Sequence, residues 1–244
     1  MKDTLIVIPA YNEEKTIGNL LKTIIDAGYN DFADILVVND KSQDQTIRSI
    51  VEYEDKVILI KHVFNMGYGA ALKTGYVYAT KYGYQYVIQL DGDGQHDAKN
   101  IERLHGEITA KNAPDIVIGS RFLEGSETFS VSAVKMWAIR FFRLIIKLFA
   151  HGNITDPTSG LQALNRKAFS YYAGYVNFDL KYPDANMIIK MLLMRYRIEE
   201  IPAIMHPRKE GVSIHSGIKP VFYMILMMLS TFTVVLQYKF LKAG

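Results

Sequence analysis

Cysteine is absent from this 244-residue chain. A disulfide framework and a thiolate metal site are therefore excluded, and any metal must be bound by oxygen or imidazole. The formal net charge of +3 is too small to indicate a protein that binds nucleic acid. Hydrophobic residues make up 49% of the chain, which is ample for a buried core, and one α/β domain is the default expectation.

Acidic residues are missing from two apolar stretches, one between Glu127 and Asp156 and the other after Glu210. Within the first, residues 134–150 carry basic side chains at spacings of three and four, which share one stripe of a helix. These are Arg140, Arg143 and Lys147. A basic stripe among aromatic and aliphatic residues predicts a helix in the headgroup region of an anionic membrane surface. The alternative is an amphipathic helix that packs on the core and turns its basic edge to solvent.

The second stretch contains residues 221–236, which are apolar or weakly polar and have lysines on both sides. A helix of this length would be about 24 Å long, against about 30 Å for the hydrocarbon core of a bilayer. A span would also leave lysines on the far side, against the positive-inside tendency. We predict that residues 217–244 form a membrane-associated helix that lies in the membrane plane, inserts obliquely or packs on an integral membrane protein. A soluble core helix is the alternative.

The first half of the chain alternates between strand-like and helix-like segments. Runs rich in Ile and Val predict buried strands at residues 5–8, 35–38, 57–60, 86–90 and 116–118. Helical spacing predicts helices at about residues 13–27, 44–53, 69–82 and 98–111. This alternation indicates an α/β fold with a mostly parallel sheet that is covered by helices. After Arg121 the pattern predicts long helices and irregular linkers.

Polar or turn-forming residues follow each of the five predicted strands. Ligands of open α/β sheets bind outside the carboxyl ends of the strands, so these segments are expected to converge on one site. The alternative is that strand ends are simply where loops occur.

The segment Asp91-Gly92-Asp93-Gly94-Gln95 has two carboxylates one residue apart on a glycine-containing turn. Such a pair offers oxygens to a hard divalent ion and leaves room for phosphate oxygens, although a plain Asp-Gly turn is common. A calcium loop is excluded because His96 stands where that loop needs glycine. Leu72 likewise replaces the last glycine of a dinucleotide fingerprint, which disfavours a hydride-transfer enzyme.

Six motifs occur in register: IPAYNEE at 8–14, VVNDKSQD at 37–44, NMGYGAAL at 65–72, LDGDGQ at 90–95, GSRF at 119–122 and DPTSGL at 156–161. Together they resemble the inverting family 2 glycosyltransferases of GT-A fold, and within them the dolichyl- or polyprenyl-phosphate mannosyl and glucosyl synthases. The resemblance covers residues 4 to about 216, so we predict a glycosyltransferase domain at residues 1–216. Asn39 stands where the family usually has an aspartate.

The resemblance implies a site for a nucleotide-sugar donor. Asp91 and Asp93 would hold Mg²⁺ or Mn²⁺ against the donor pyrophosphate, with Gln95 supporting them, and Asp40 would accept a hydrogen bond from the base. Arg208 would belong to a late loop that closes over the donor phosphates, although a mobile surface arginine is equally expected there. The remaining donor-site residues would be Pro9, Tyr11, Glu13 and Asn65.

The resemblance also implies an acceptor site. Arg121 would meet the acceptor phosphate, since a guanidinium suits bidentate contact with phosphate, but a structural pair with Asp156 is the alternative. Asp184 falls where relatives carry a catalytic base, and Pro-Asp is also an ordinary helix start. Asp93, Arg121 and Asp184 are thus the candidate catalytic residues. The other acceptor-site candidates are Lys135, Arg140, Asp156, Ser159 and Ser213.

The expected activity is the transfer of a hexose from a GDP- or UDP-linked sugar to a polyprenyl phosphate, with inversion, at the cytoplasmic face of the cell membrane. The first alternative keeps the donor and replaces the acceptor by a glycan or another hydroxyl. A second alternative, of another class, is a non-catalytic nucleotide-sugar-binding subunit of a membrane complex. The intact pair Asp91 and Asp93 disfavours the non-catalytic alternative.

Overall fold

The computed structural model describes residues 2–129, 131–181, 183–207 and 219–238. Arg208 and Ser213 lie outside these ranges, so the roles predicted for them remain predictions.

A seven-stranded sheet forms the centre of the molecule, with strand order β3-β2-β1-β4-β6-β5-β7. Strands β1 to β4 are parallel, β6 runs antiparallel to both β4 and β5, and β7 is parallel to β5. The predicted mostly parallel α/β fold is therefore confirmed. The strands are β1 Thr4–Ala10, β2 Ala33–Asn39, β3 Val57–Lys61, β4 Tyr86–Gln89, β5 Ile116–Ser120, β6 Gln162–Asn165 and β7 Ile198–Pro202.

The five predicted strands are all present, with ends that differ by no more than two residues. Strand β1 is buried at every position, as expected of a strand that is covered on both faces. The prediction of only helices and linkers after Arg121 was wrong, because β6 and β7 complete the sheet. Both are short and carry Gln, Asn or Glu side chains, which interrupt the apolar run on which the prediction depended.

Helices cover both faces of the sheet and build two apolar cores. Helices α1 and α4 contribute to one core, whereas α3, α6 and α7 contribute to the other. The helices are α1 Ile17–Asp26, α2 Thr46–Val51, α3 Tyr68–Tyr82, α4 Lys99–Thr109, α5 Ala133–Ile145, α6 Arg166–Ala173, α7 Ala185–Leu193 and α8 Lys219–Leu236. A π-helical segment, Ile146–Ala150, continues α5.

The sequence predicted that three basic residues share one stripe of a helix, but on α5 and its π-helical continuation only two of them face solvent. Arg140 and Lys147 are exposed. Arg143 instead points inward, where its Nε donates to the Thr155 carbonyl oxygen at 2.7 Å and its guanidinium carbon lies 4.8 Å from the centre of the Phe122 ring. Arg143 therefore anchors α5 to the rest of the molecule.

Helix α8 packs against α7 and α5 through one of its faces. Met227 and Val235 on this face are buried in the apolar clusters. Within the described part of the chain, no helix combines the length and apolarity needed to span a bilayer.

Candidate active site

The loop after β4 places Asp91 at the carboxyl edge of the sheet. Its Oδ1 accepts a hydrogen bond of 2.8 Å from the hydroxyl of Tyr68, the first residue of α3. Burial raises the pKa of Tyr68 well above its usual value, and the charges of Asp91 and Asp184 act in the same direction. The hydroxyl therefore stays protonated and can donate to Asp91.

Gly160 closes one side of this pair. A Cβ atom at residue 160 would lie 3.0 Å from the Tyr68 hydroxyl oxygen and 3.2 Å from Asp91 Oδ2. These distances are tighter than ordinary van der Waals contact, so a larger residue would displace the two side chains. Gly160 is thus required for the close approach of the segment before β6 to Asp91.

The backbone of the Asp91–Gln95 loop is held by hydrogen bonds to side chains and to the backbone of another segment. Gln95 N donates to Asp93 Oδ1 at 3.0 Å. His206 N donates to the Gln95 carbonyl oxygen at 2.7 Å, which ties the loop to the segment just before Arg208. Thr16 Oγ1 lies 2.9 Å from Glu13 Oε2 and 3.0 Å from the Gly92 carbonyl oxygen. Thr16 therefore links the loops that follow β1 and β4.

Asp91, Asp93 and Gln95 supply oxygen atoms of the kind that Mg²⁺ and Mn²⁺ prefer. The described residues contain no group of three or more His, Cys, Asp or Glu side chains suited to a metal. A magnesium ion is usually bound through one or two carboxylates together with substrate phosphates and water. The donor set of this loop therefore fits such an ion.

Arg121 and Asp156 form a buried ion pair beside the loop. Arg121 Nε donates to Asp156 Oδ2 at 2.6 Å and Nη2 donates to Oδ1 at 2.7 Å, so the contact is bidentate. Arg121 Nη2 also donates to Thr158 Oγ1 at 2.9 Å. Burial acts to lower the pKa of Arg121, but the hydrogen bond and charge of Asp156 outweigh it and raise the pKa. The structural pair considered from the sequence is therefore present.

Lys135 and Asp184 complete a charged cluster. The residue Lys135 as a whole is exposed to solvent. The protein atoms around its ammonium group nevertheless lower its pKa, because desolvation disfavours the charged form. Arg121 lowers this pKa further, whereas Asp156, Asp184 and Asp91 raise it. Asp184 and Asp91 also act on the pKa of Arg121. Arg121 and Lys135 are thus each close enough to interact with the three carboxylates Asp91, Asp156 and Asp184.

A known protein family matches most of this chain. Residues 5–172 match the family model for glycosyl transferase family 2. This chain belongs to glycosyl transferase family 2. It is therefore an enzyme, and the non-catalytic alternative is not retained.

Two relatives of this glycosyltransferase act on lipid phosphates according to their names. It is 28% identical over 249 residues to the UDP-N-acetylglucosamine–dolichyl-phosphate N-acetylglucosaminyltransferase of Methanococcus voltae, covering 93% of this chain and 97% of the relative. It is 27% identical over 233 residues to the polyprenol monophosphomannose synthase of Mycolicibacterium smegmatis, covering 88% of this chain and 81% of the relative. The polyprenyl-phosphate sugar transferases are thus among its relatives at modest identity.

Glucosyl-3-phosphoglycerate synthase from Mycobacterium tuberculosis, solved with Mn²⁺, UDP and phosphoglyceric acid, has a similar fold. The TM-score is 0.70 at 15% identity, and the match covers 96% of this chain and 78% of that one. At this identity the likeness establishes the fold alone. The expected GT-A fold is thereby confirmed for the glycosyltransferase.

Asp40 has a structural task in this glycosyltransferase. Its Oδ1 accepts from Met66 N at 2.9 Å and lies 2.7 Å from His62 Nδ1, while its Oδ2 accepts from Gly67 N at 2.7 Å. Both oxygens are therefore engaged within the chain, which holds the loop between β3 and α3. The contact of Asp40 with the nucleotide base stays a prediction, and Asn65 lies exposed on that same loop.

The other predicted residues lie at the end of β1, in the loop before β6 and on α5. Pro9 is buried near the end of β1, and Tyr11 and Glu13 are half-buried just beyond it. Ser159 Oγ donates to the Gly119 carbonyl oxygen at 2.6 Å, so this side chain shapes the loop that precedes β6. Arg140 lies on the exposed face of α5.

Sequence reasoning missed two residues that fix the geometry of the site. Tyr68 belongs to the NMGYGAAL motif, but nothing in its spacing indicated a hydrogen bond to Asp91. Glu200 lies on β7, a strand that the pattern did not predict. Its carboxylate binds the backbone next to Asp156, and no local sequence signal could have indicated this contact.

Proposed function

We propose that this glycosyltransferase moves a hexose from a GDP- or UDP-linked sugar to a polyprenyl phosphate, with inversion at the anomeric carbon. The observation that carries the proposal is the placement of two cationic side chains, Arg121 and Lys135, within electrostatic range of Asp91. A donor held at Asp91 and an anionic acceptor held by the two cations would then meet in one cleft. The lipid-phosphate acceptors in the names of two relatives support this proposal.

On the donor side, Asp91, Asp93 and Gln95 would hold Mg²⁺ or Mn²⁺. When bound, the ion neutralises charge that builds on the departing nucleoside diphosphate. Tyr68 holds Asp91 in one orientation through the hydrogen bond at Oδ1, and His96 Nε2 lies 3.8 Å from Oδ2. Pro9, Tyr11 and Glu13 would line the nucleoside pocket at the end of β1. Asn65 and Arg208 would approach the donor from neighbouring loops.

On the acceptor side, Arg121 and Lys135 would bind the phosphate and direct one of its oxygens at the anomeric carbon. A bond forms between that oxygen and the carbon while the bond to the diphosphate oxygen breaks on the opposite face, which inverts the configuration. Within the described residues, the hydrogen bonds of the guanidinium engage Nε and Nη2. Nη1 is therefore the nitrogen through which Arg121 would reach the phosphate. Arg140, Asp156, Ser159 and Ser213 would form the surrounding acceptor site.

Asp184→Asn is expected to keep transfer to polyprenyl phosphate within about tenfold of the wild-type rate, because the second pKa of a phosphate monoester is about 6 and the nucleophile needs no base. The rate is measured with purified enzyme, a nucleotide sugar and a prenyl phosphate. Near-complete loss would contradict a phosphate nucleophile. It would favour the second candidate, a hydroxyl acceptor, for which the position of Asp184 beside Arg121 suits a general base.

The proposed reaction is tested by incubating the enzyme with radiolabelled GDP- and UDP-sugars, polyprenyl phosphate and Mn²⁺, followed by chloroform extraction. Label that enters the organic phase only with the matching donor supports the proposal, and chelation of the metal should abolish it. A labelled product found only in the aqueous phase would refute the lipid acceptor. The same assay identifies the sugar and the base.

We further propose that the enzyme binds peripherally to the cytoplasmic face of the membrane. On α5 and the π-helical segment that continues it, the exposed apolar residues Trp137, Leu144 and Leu148 lie near the exposed basic residues Arg140 and Lys147. Helix α8 also exposes apolar side chains on the face that does not pack on the domain. These are Leu226, Leu229, Phe232 and Leu236. Such surfaces suit contact with acyl chains and anionic headgroups, and residues 217–244 would join the domain of residues 1–216 to the membrane or to an integral membrane protein.

Arg140→Gln combined with Lys147→Gln is expected to weaken binding to vesicles that contain anionic lipid by about thirtyfold, since each basic residue near such a surface contributes about 1 kcal/mol. Binding is measured by vesicle sedimentation. The matched control is Lys22→Gln combined with Lys56→Gln, which removes two exposed lysines elsewhere on the surface. Equal losses in both variants would contradict a membrane contact at α5.

A further inference from the structure

Glu200 binds the backbone of the acceptor-side turn. It lies on β7, where it pairs with Ile118 of β5. Its Oε2 accepts from Thr155 N at 2.6 Å and its Oε1 accepts from Asp156 N at 2.7 Å. One carboxylate therefore holds two successive amide groups. Hydrogen bonds of this kind, with an ionised acceptor, are roughly twice as strong as neutral ones.

The same turn is held from two other directions. Arg143 of α5 donates to the Thr155 carbonyl oxygen at 2.7 Å. Ser120, at the end of β5, lies with its hydroxyl oxygen 2.6 Å from Thr155 Oγ1. In the peptide unit between residues 155 and 156, Arg143 thus holds the carbonyl oxygen and Glu200 holds the N–H. Ser120 contacts the Thr155 side chain, so three different elements of the fold hold this turn. Such a turn has little freedom to rotate.

The position of this turn decides where the Arg121 guanidinium points. Asp156 is fully buried and binds Arg121 through both carboxylate oxygens, and its Oδ2 also accepts from Arg121 N at 3.1 Å. A rotation of the turn would therefore move the guanidinium with it. Because the bidentate contact has a planar geometry, small displacements of Asp156 are transmitted to Arg121.

Keeping a carboxylate at this place has an energetic cost. Burial raises the pKa of Glu200 because it disfavours the ionised form, and the two backbone hydrogen bonds act against this shift. The neighbouring Glu199 has the opposite environment: its side chain is exposed and pairs with Arg197 at 3.1 Å. Of the two adjacent glutamates of β7, Glu200 thus binds the backbone of the turn and Glu199 faces solvent.

We propose that Glu200 is a positioning residue for the acceptor phosphate, which it serves by fixing the turn that aims Arg121 through Asp156. The proposal rests on the proposed function, since it assigns Arg121 to the acceptor. Glu200 itself lies behind Asp156 and acts only through the backbone.

The test compares Glu200→Gln with Glu199→Gln. The first variant keeps the length of the side chain but replaces one acceptor oxygen by an NH₂ group, which faces a backbone N–H that it cannot satisfy. The unpaired backbone N–H should displace the turn, and Arg121 should move with it. We therefore expect the KM for a short-chain prenyl phosphate to rise by about tenfold or more, while the KM for the nucleotide sugar stays within about twofold. Glu199→Gln should match the wild type in both constants.

A second readout does not depend on catalysis. The ¹H–¹⁵N signal of Arg121 Nε reports its bond to Asp156, and we expect Glu200→Gln, unlike Glu199→Gln, to shift it. If Glu200→Gln does not fold, Glu200→Asp, which keeps the charge on a shorter side chain, takes its place. An unchanged Arg121 signal with an unchanged acceptor KM would overturn the positioning role. A wild-type enzyme that binds and glycosylates no prenyl phosphate would instead refute the proposed function, while the Arg121 signal would still test the contact.

Discussion

Asp93→Asn should lower the rate of sugar transfer by about a thousandfold, since removing one group that stabilises developing charge typically costs about 10²–10³ in kcat. Asparagine keeps the size of the side chain but removes the charge that a divalent cation requires from its ligand. Asp91→Asn should have a comparable effect. Rates are measured under single-turnover conditions, and the affinity for Mn²⁺ is measured separately by electron paramagnetic resonance in the presence of nucleoside diphosphate.

The matched control is Asp26→Asn. Asp26 lies exposed near the end of α1 and pairs with Lys22, so its replacement should leave transfer within about twofold of the wild-type rate. Both aspartate variants of the loop should bind Mn²⁺ more weakly, whereas the control should bind it normally. Transfer that persists after complete chelation, or an Asp93→Asn enzyme with unchanged affinity for Mn²⁺, would contradict the metal-binding role of this loop.

Asp156→Asn should lower the free energy of unfolding by about 3–5 kcal/mol, the usual effect of removing one partner from a buried ion pair. The Arg121 side chain is 7% exposed and that of Asp156 is fully buried, so the buried guanidinium would keep its charge without the carboxylate that contacts it. Acceptor affinity should fall as well, because Arg121 is no longer held in place. Urea unfolding measures the stability, and prenyl phosphate titration measures the affinity.

A double variant separates the two effects. Arg121→Met combined with Asp156→Leu removes both charges, and it should regain much of the lost stability, since apolar replacements of buried pairs are often neutral or stabilising. Its activity should stay low because no guanidinium remains. As a surface control, Asp26→Asn should change stability by about 0–1 kcal/mol. A double variant with restored transfer would contradict the proposed contact between Arg121 and the acceptor.

The first half of the sheet was predictable from the sequence because its strands are buried on both faces. Continuous apolar runs such as Leu5 to Ile8 are typical of buried parallel strands when helices follow at regular intervals. Strands β6 and β7 carried no such signal. Glu200 of β7 is half-buried and binds the backbone of a distant turn, and only the tertiary structure supplies those two amide groups.

The proximity of several candidate residues was predictable from the sequence, but their contacts were less so. Asp91, Arg121 and Asp184 come together because each follows a strand or begins a helix at the same edge of the sheet. The tasks of Asp40 and Arg143 were harder to predict, since both depend on partners that are distant in sequence. Asp40 is engaged by the β3–α3 loop, and Arg143 turns away from solvent to the Thr155 carbonyl oxygen.

The reversed strand β6 sets the distance between the two sides of the proposed site. Because β6 separates β4 from β5, the ends of these two parallel strands stand two interstrand spacings apart, which is about 10 Å. The Asp91–Gln95 loop follows β4 and Arg121 follows β5, so under the proposed function a sugar ring would lie between the leaving and the entering phosphate. The segment that leads into β6 brings Gly160 close to Tyr68 and Asp91 on the β4 side. A direct pairing of β4 with β5 would halve the gap.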